Sequence, residues 1–515
     1  MSSSRVVIGK SVLTKSHWRT SHIFMSAKSK AYSTFSTNGG IKSFSLSRSS
    51  DRSIHTDDAS TLLMLSSTLL PEPNASAAGV RSASILNHFA NISTLNNHES
   101  LFHSVHYGCG VPLPEKIPSY DIMYPNLKNV SFHHIPPNRE TTMKQFLLED
   151  PSMINLRAVI FDRFFSEEAY SFHFHRHKPD VLRVVDMQDM HSLRAHRQSI
   201  VENHSDSEKS SLLSSIQKVI SSHPRLELTH HDVKGKKDVN STLLRELASI
   251  HRSDLTLVCS PHELTSLRDE YGIPSHKLAL ASFFESVSNE KYPTFHERRD
   301  FVTLGGFKHP PNIDQVKVLK YDIWPKILKE IPNANLYVYG AYPPQSILQL
   351  HDEQYGFHIK GYAESLEEIL SFSKVMLAPL RYGAGIKGKI VDSWRFGCPV
   401  ITTPVGSEGM TSDNNGQWGG SIAFDSDSFV QSAIDVYTNE SKWTSSQRKG
   451  KDLLERLFNA ETNFKDLNGS IAYAIKSLQE RRERDYFSAL LWQQQTRSTE
   501  YFSKWIEQKE LSKLE

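Results

Sequence analysis

The sequence predicts an α/β protein built from two successive doubly wound domains that face each other across a cleft. From about residue 60, apolar runs of β type alternate with runs of helical spacing, which is typical of βαβ units and parallel sheets. The alternation stops between Ser286 and Arg299, where Pro293 interrupts it, and starts again at Phe301. A chain of 515 residues is also too long for one ordinary core, so we place a domain boundary in this break.

The first half of the chain alternates strands and helices as far as Ser282. The predicted strands are Thr61–Leu70, Phe102–Tyr107, Val130–His134, Ala158–Phe161, Val181–Asp186, Leu255–Cys259 and Leu278–Ser282. The predicted helices are Ala77–Ile92, Thr141–Leu148, Glu167–His177, Leu243–His251 and His262–Tyr271. Two polar stretches, Asn203–Ser215 and Lys234–Lys237, predict a surface insertion within this domain.

The second half repeats the pattern. Its predicted strands are Phe301–Leu304, Leu336–Tyr339, His358–Gly361, Val375–Leu380, Val400–Thr403 and Ile422–Phe424. Helices fill the gaps, notably Asp314–Ile331 and Lys389–Phe396, and after about Phe464 the chain is helical and highly charged. The predicted domains are therefore residues 57–290 and 291–475, followed by a charged helical tail at 476–515.

Residues 1–56 differ from the rest of the chain. They are rich in serine, lysine and arginine, and Asp51 is their only acidic residue. This is the composition of an organelle transit peptide, which would direct the protein to a mitochondrion or plastid. The alternative is a disordered basic tail without an address, on a cytoplasmic protein. Both interpretations predict an intracellular protein.

Composition excludes several other classes. The formal net charge is only +2, which does not suggest a general binder of nucleic acid or of membrane surfaces. Cys109, Cys259 and Cys398 lie far apart, so we expect neither a cysteine zinc site nor a disulfide scaffold. No apolar run approaches the length needed for a transmembrane segment.

A glycine-rich loop in the second half carries the strongest functional signal. The apolar run Val375–Leu380 ends at Arg381, and a helical run begins at Ile390. Between them stand glycines and lysines in close succession: Gly383, Gly385, Lys387, Gly388 and Lys389. Glycines let the backbone approach a phosphate, free N–H groups point at it, and the helix dipole favours negative charge. The loop therefore predicts a phosphorylated ligand.

The same string, Gly383-Ala-Gly-Ile-Lys-Gly388, also matches the dinucleotide fingerprint. Glu408 lies about twenty residues further on, near the place of a ribose-binding acid. However, that fingerprint normally opens a domain, whereas about three βα units precede it here. The lysines also exceed what a dinucleotide needs. An NAD-type site and a purely structural loop are the alternatives to a phosphate cradle for another ligand.

The region Phe301–Gly409 resembles the C-terminal domain of glycosyltransferases of the GT-B architecture. It is most similar to the retaining family-4, or group 1, type, in the subgroup whose loop reads Gly-Ala-Gly-Ile-Lys-x-Lys. The resemblance is carried, in order, by Gly306-Phe-Lys-His-Pro-Pro-Asn312, Ile323-Trp-Pro325, Pro332-Asn-Ala-Asn-Leu336, Val338-Tyr-Gly340, Gly361-Tyr362, Ala378-Pro-Leu-Arg-Tyr-Gly-Ala-Gly-Ile-Lys-Gly-Lys389, Gly397-Cys-Pro-Val-Ile-Thr-Thr403 and Gly406-Ser-Glu-Gly409. It implies a nucleotide-sugar donor on the C-terminal domain, an acceptor on the N-terminal domain, and no required metal or other cofactor.

The resemblance also assigns the donor residues. It places the diphosphate against Arg381, Lys387, Lys389 and the backbone from Gly383 to Gly388, including Gly385. Asp392 takes the place of the acid that holds the nucleotide ribose; the alternative is an ordinary acid of a first helical turn. Glu408 and Gly409 fall near the sugar, and the alternative for Glu408 is an ordinary loop acid.

Residues of the first domain complete the predicted site. His191 follows Asp189 just beyond a strand end and could contact the sugar or the acceptor, or merely cap a helix. Gly79 and Arg81 could form an acceptor-side helix N-terminus or a tight turn. The alternating His173, His175 and His177 are interpreted as a solvated helix face rather than as metal ligands, because no carboxylate or cysteine cluster accompanies them.

Three positions depart from the family pattern: Tyr382, Asp392 and Trp394. The prediction is a transferase that moves a sugar from a nucleotide-diphosphate donor to an unknown acceptor with retention. His191 and Glu408 are its candidate catalytic residues, and no enzyme nucleophile is required. The alternatives are an NAD-dependent oxidoreductase and a catalytically degenerate transferase-like binding module. The tail resembles the final helices that, in this architecture, cross back onto the first domain.

Overall fold

Two parallel β-sheets, one from each half of the chain, organise the protein. The computed structural model describes residues 60–68, 70–71, 76–91, 101–113, 127, 129–204, 213–225, 239–286, 291–411 and 417–512. The basic segment 1–56, with its predicted organelle address, lies outside these residues. No helix within the described ranges combines the length and apolar character that crossing a bilayer requires.

The first sheet has seven strands in the order β3-β2-β1-β4-β5-β6-β7. They are β1 Thr61–Ser66, β2 Ser104–Cys109, β3 Val130–His134, β4 Leu156–Asp162, β5 Leu182–Asp186, β6 Leu255–Val258 and β7 Leu278–Leu280. All neighbouring strands pair in parallel. The order reverses between β1 and β4, so a crevice for ligands is expected at the carboxyl ends of these two strands.

Helices cover both faces of this sheet. They are α1 Ala77–Asn91, α2 Glu140–Glu149, α3 Phe164–His177, α4 His191–His204, α5 Ile216–Ile220, α6 Val239–Arg252 and α7 Pro261–Asp269. Because strand side chains alternate between faces, Leu62 and Met64 join a core with α1, while Leu63 and Leu65 join another with α2 and α3. All six residues of β1 are buried, which is why the strand is a continuous apolar run.

The second sheet has six parallel strands in the order β10-β9-β8-β11-β12-β13. Its strands are β8 Arg299–Leu304, β9 Leu336–Tyr339, β10 Phe357–Gly361, β11 Ser373–Ala378, β12 Val400–Thr402 and β13 Gly420–Ile422. Its helices are α8 Pro310–Val318, α9 Trp324–Glu330, α10 Gln345–Leu348, α11 Leu366–Phe372, α12 Gly388–Arg395, α13 Pro404–Ser407, α14 Ser426–Thr438 and α15 Glu440–Phe458. The order reverses between β8 and β11, so the loops that follow these two strands lie side by side.

The C-terminal helices return to the first sheet. They are α16 Ala460–Lys476, α17 Leu478–Arg484 and α18 Tyr486–Leu511. The crossing occurs at Glu285, whose N–H donates to the Phe458 carbonyl at 2.6 Å and whose carbonyl accepts from the Ala460 N–H at 3.0 Å. The buried residues of α16, among them Leu467 and Ile471, then join the core that contains β1. The chain therefore connects the two lobes twice, once through residues 281–298 and once at this crossing.

The two polar stretches that predict a surface insertion between α4 and α6 lie largely outside the described residues. Within the described part of this insertion, residues 213–225, Leu213 and Ile216 are fully buried in the apolar cluster of the second sheet. Val219 is also fully buried, beside Tyr382 and Val405. A few apolar residues in a polar sequence are enough to dock this segment on the opposite lobe, and composition averages conceal them.

One expectation is wrong for a tertiary reason. His173 is only 1% exposed, and His175 stacks on Trp492 with ring centroids 4.3 Å apart, so the histidine face of α3 is covered rather than solvated. Burial lowers the pKa of His173 to about 3. The helix expected over Asp314–Ile331 is present, and it consists of α8, a π-helical segment Leu319–Ile323 and α9 in direct succession.

The docking of α18 can be tested at Trp492. Its ring is 5% exposed, lies 4.9 Å from the Arg183 guanidinium, and donates from Nε1 to the Arg252 carbonyl at 3.2 Å. Trp492→Ala should lower the free energy of unfolding by about 3 kcal/mol in urea denaturation followed by circular dichroism. The matched control is Trp505→Ala on the same helix, because Trp505 is 55% exposed. Equal losses for the two variants would mean that Trp492 does not anchor the helix.

Candidate functional site

The glycine-rich loop follows β11 and leads directly into α12, at the carboxyl edge of the second sheet. Gly385 has a φ of +64°, and a Cβ at this position would lie 2.9 Å from Cβ of Asp189. A Cβ at Gly388, the first residue of α12, would lie 2.6 Å from Cβ of Ala77 at the start of α1. The loop therefore presses against the N-terminal lobe, and the glycines permit that approach.

Both predicted lysines turn inward. Lys387 is 7% exposed, and its Nζ donates to the Gly385 carbonyl at 2.7 Å. Burial lowers the pKa of Lys387, while the nearby Glu408 carboxylate opposes that shift. A buried amine at the N-terminus of α12 is well placed to meet an anion.

Lys389 lies in a cradle formed by α8. Its Nζ donates to the amide oxygens of Asn312 at 2.6 Å and Gln315 at 2.9 Å. Burial lowers the pKa of Lys389 to about 7, and the charge of Lys387 adds to the effect. Because both amides are neutral, no carboxylate in this cradle stabilises the charged form, and the amine keeps its attraction for an incoming anion.

Arg381 is engaged elsewhere. Its guanidinium pairs with Asp314 of α8, with Nε 2.9 Å from Oδ2. This ion pair ties the end of β11 to the helix that holds Lys389. The charge of Arg381 is thus already paired within the C-terminal lobe.

Asp392 lies one turn into α12. Its Oδ1 is 3.9 Å from Nη1 of Arg395, and Arg395 in turn pairs with Glu285 at the crossing between the lobes. The side chain keeps 28% of its surface exposed, yet desolvation raises the pKa of its carboxyl to about 7. A carboxyl group whose pKa is displaced this far from its ordinary value is typical of functional positions and of buried ion-pair networks.

Glu408 makes the strongest contact between the lobes. Both of its oxygens accept from Arg197 of α4 at 2.7 Å, and the same guanidinium donates to the Gly383 carbonyl at 3.0 Å. Burial alone would raise the pKa of Glu408, but Arg197 outweighs it and the pKa lies below its ordinary value. His262 Nε2 is 3.1 Å from the same carboxylate. Gly409, with a φ of +74°, packs against Ser260 of the N-terminal lobe.

His191 is the first residue of α4. Its N–H donates to Glu246 Oε1 at 2.6 Å, and its Nε2 is 3.3 Å from Asp189 Oδ1. Asp189 also pairs with Arg194. Burial lowers the pKa of His191, so its imidazole is neutral at neutral pH. Asp189 and His191 are therefore in direct contact just beyond the end of β5.

Gly79 and Arg81 lie in α1. The Gly79 N–H donates to Ser76 Oγ at 3.0 Å in the first turn. Arg81 is 1% exposed and is fully occupied inside its own lobe, where it pairs with Asp186 and donates from Nε to the Ala281 carbonyl at 2.9 Å. Arg81 thus fixes the carboxyl ends of β5 and β7 beneath the cleft, while only the N-terminus of α1 approaches the loop.

Four residues that lie at this site are not predicted from the sequence: Arg197, Glu263, Asn312 and Gln315. Asn312 ends the motif Gly306–Asn312 that carries part of the family resemblance, but nothing in that motif indicates that Asn312 binds a lysine. Arg197 belongs to a stripe with Arg194 and Val201, spaced three and four residues apart on α4, which is a detectable signal for one helix face. Glu263, in the first turn of α7, is indistinguishable by sequence from an acid that stabilises a helix dipole.

Residues 298–439 match the family of glycosyl transferases group 1. These residues therefore form a group 1 glycosyltransferase domain. No curated protein sequence matches it closely enough to narrow the activity further. Within the described ranges, no three histidine, cysteine, aspartate or glutamate side chains are grouped so that they could hold a metal ion.

Solved structures show that the chain has the GT-B fold. Sucrose-phosphate synthase from Thermosynechococcus elongatus is 13% identical, with a TM-score of 0.54 over 84% of this chain and 100% of that one. Anabaena HepE, solved in complex with UDP and glucose, is 8% identical, with a TM-score of 0.54 over 80% of this chain and 100% of that one. The chain spans 58% of the length of S. aureus TarM, at 11% identity over 64% of this chain and a TM-score of 0.45, which adds nothing further.

Asp392 offers a stability test. Its carboxyl has an ordinary pKa of 3.8 and a folded pKa of about 7, so the folded state favours the proton. Its contribution to stability is therefore complete at low pH and is lost as the pH rises to about 7. Asp392→Asn should raise the free energy of unfolding at pH 8 by on the order of 2 kcal/mol, and the gain should shrink towards pH 5. The readout is thermal unfolding at both pH values. The control is Asp452→Asn, at an exposed acid of α15; a gain that is independent of pH would contradict the prediction.

Proposed function

We propose that the enzyme transfers a sugar from a nucleoside diphosphate donor to an unidentified acceptor, with retention of the anomeric configuration. One observation carries this proposal. Two lysines are turned inward at the N-terminus of α12, at the point where the order of the second sheet reverses, and the N-terminal lobe faces them. That combination attracts a diphosphate in a water-poor cleft, where preorganised charges act most strongly.

The donor residues follow from these contacts. Lys387, Lys389 and the first two N–H groups of α12, at Gly388 and Lys389, stabilise the departing diphosphate. Because Lys389 has a pKa of about 7 without a donor, the arrival of a phosphate raises that pKa and fixes the proton on the amine. Arg381 supports the site through its ion pair with Asp314.

Asp392 is proposed to accept hydrogen bonds from the ribose hydroxyls. Gly383, Gly385 and Gly409 allow the backbone of the donor site to lie close to the donor and to the opposite lobe. The shorter aspartate, where the family pattern has glutamate, is compatible with this role only if the nucleoside lies close to α12. The affinity for nucleotides therefore tests this assignment directly.

The N-terminal lobe is proposed to bind the acceptor. A neutral His191, whose imidazole is oriented by Asp189, can donate to or accept from a hydroxyl group of the sugar or the acceptor. Glu408 stands at the sugar end of the loop and is held there by Arg197. The N-terminus of α1 at Gly79 faces the same cleft, and Arg81 holds the strands beneath it.

The departures from the family pattern have structural partners. Tyr382 is 5% exposed and packs with Val201 and Val219 of the N-terminal lobe. Trp394 donates from Nε1 to the Gly419 carbonyl at 3.0 Å and packs edge to face on Trp418. Both substitutions therefore support contacts that the fold uses, and neither side chain intrudes on the two lysines.

A nucleotide panel tests the donor assignment. UDP or GDP should raise the thermal unfolding midpoint, because a ligand that binds only the folded state stabilises it, whereas NAD should not. Lys387→Ala should remove the shift and lower sugar transfer from a mixed pool of sugar nucleotides at least about a hundredfold. Lys308→Ala is the control, since Lys308 is exposed and lies over the ring of Tyr342, 3.9 Å from its centroid. Stabilisation by NAD alone would favour an oxidoreductase, and binding without transfer would favour a degenerate module.

The chemical course is testable on the active enzyme. Transfer should persist after exhaustive treatment with a chelator, because protein cations rather than a divalent metal balance the leaving diphosphate. Proton NMR of the first-formed product should show the anomeric configuration of the donor. A product of inverted configuration would exclude retention, and loss of activity that added Mg²⁺ or Mn²⁺ restores would exclude a metal-independent mechanism.

A further inference from the structure

The N-terminal lobe holds both ends of the segment Gly383–Gly385. The Gly383 carbonyl accepts from Arg197 Nη1 at 3.0 Å. The Gly385 N–H donates to Glu263 Oε1 at 2.6 Å. A cation and a carboxylate from the opposite lobe thus fix one carbonyl and one amide of the loop that is proposed to bind the diphosphate.

Arg197 acts from a helix face that is dedicated to this loop. Arg194, Arg197 and Val201 lie on one stripe of α4. Val201 packs in one apolar cluster with Tyr382, and Tyr382 is the residue that precedes Gly383. Arg197 itself is completely buried and also carries Glu408. Helix α4 therefore holds two consecutive residues, Tyr382 by apolar packing and Gly383 by a hydrogen bond.

Glu263 acts from the N-terminus of α7. It is 1% exposed, and its Oε1 also accepts from the Met190 N–H at 3.2 Å, so one oxygen joins the end of the loop after β5 to the glycine-rich loop. Its Oε2 is buried and makes no hydrogen bond among the described residues. Burying a carboxylate with one oxygen unsatisfied is unfavourable, which makes a purely stabilising role a poor explanation.

The Gly385 peptide transmits this contact to Lys387. The Gly385 N–H is held by Glu263, and its carbonyl accepts from Lys387 Nζ at 2.7 Å. Gly385 sits at a φ of +64°, with Asp189 against it. The orientation of one residue therefore determines where the amine of Lys387 lies.

We propose that Arg197 and Glu263 form a clasp in which each is a positioning residue: neither contacts the donor, and together they shape the diphosphate loop when the lobes are closed. This inference rests on the proposed function. With the clasp open, a loop that contains three glycines between Gly383 and Gly388 has many conformations, and binding must select one of them. Donor affinity thus becomes dependent on contact with the acceptor-side lobe.

The variants are Glu263→Ala, which removes the acceptor of the Gly385 N–H, and Glu263→Gln, whose amide oxygen can still accept it. The matched control is Glu168→Ala, at a carboxylate of the same lobe that pairs with the half-exposed Arg245. Glu263→Ala should raise the donor KM about tenfold, the effect of losing one buried hydrogen bond to a charged group, with a smaller change in kcat and none in the acceptor KM. Glu263→Gln should stay within about twofold of the parent enzyme.

Hydrogen exchange of the donor-free protein gives a readout that does not depend on the proposed function. Peptides covering residues 379–389 should lose protection in Glu263→Ala and keep it in Glu263→Gln. Wild-type protection in Glu263→Ala, or equal changes in both KM values, overturns the clasp. If Glu263→Ala fails to fold, Arg197→Lys, which keeps the charge but cannot make all three hydrogen bonds, must show the same loss. If the parent enzyme neither binds nor transfers any nucleotide sugar, the proposed function fails, while exchange still decides whether the clasp exists.

Discussion

The close approach of the two lobes at three glycines is the constraint on which the site depends. A Cβ would lie 2.9 Å from Asp189 at Gly385, 2.6 Å from Ala77 at Gly388 and 2.4 Å from Ser260 at Gly409. Real side chains do not tolerate such distances, so each position requires either glycine or separated lobes. These glycines are therefore compatible with closed lobes. They permit contact between the two lobes of the chain as well as contact with a ligand.

Closure also determines the electrostatics of the cleft. Arg197 and Glu408 come from different lobes and are almost completely buried, as are Arg81 and Asp186 within the first lobe. Buried ion pairs often contribute little net stability, because desolvation offsets their attraction, but separating one partner is costly. Such pairs specify a geometry. Here they specify which face of α4 meets the loop and where β5 and β7 end.

The sequence predicted the framework well because both sheets are parallel and buried on both faces. Their strands are short apolar runs, and most predicted strands begin and end within a few residues of the observed ones; β1, predicted over Thr61–Leu70, ends at Ser66. The prediction of a solvated histidine face on α3 is wrong, and the burial of Leu213 was not predicted, for a common reason. Whether Leu213 or His175 is buried depends on a segment that is distant in sequence, the second sheet in one case and α18 in the other.

In the candidate site, too, the local features could be predicted and the distant partners could not. The loop from Gly383 to Lys389 could be predicted, since its glycines, lysines and following helix are contiguous in the sequence. Its partners could not, because Arg197 is separated by 186 residues from Gly383 and by 211 from Glu408. Local pattern carries no information about which helix face will be brought to a loop so far along the chain. Glu408 was predicted near the sugar, but its tie to Arg197 is a property of the closed lobes alone.

The charges of Lys389 and Asp392 depend on pH in opposite directions. Desolvation brings both groups to a pKa of about 7, so the amine is charged below this value and the carboxyl above it. Before a donor binds, each group is therefore partly neutral at neutral pH, which lowers the free energy of keeping the two groups away from water. In the proposed reaction, the diphosphate raises the pKa of the amine and the ribose hydroxyls lower that of the carboxyl. Donor binding itself then completes both charges, at the moment when each has acquired a partner.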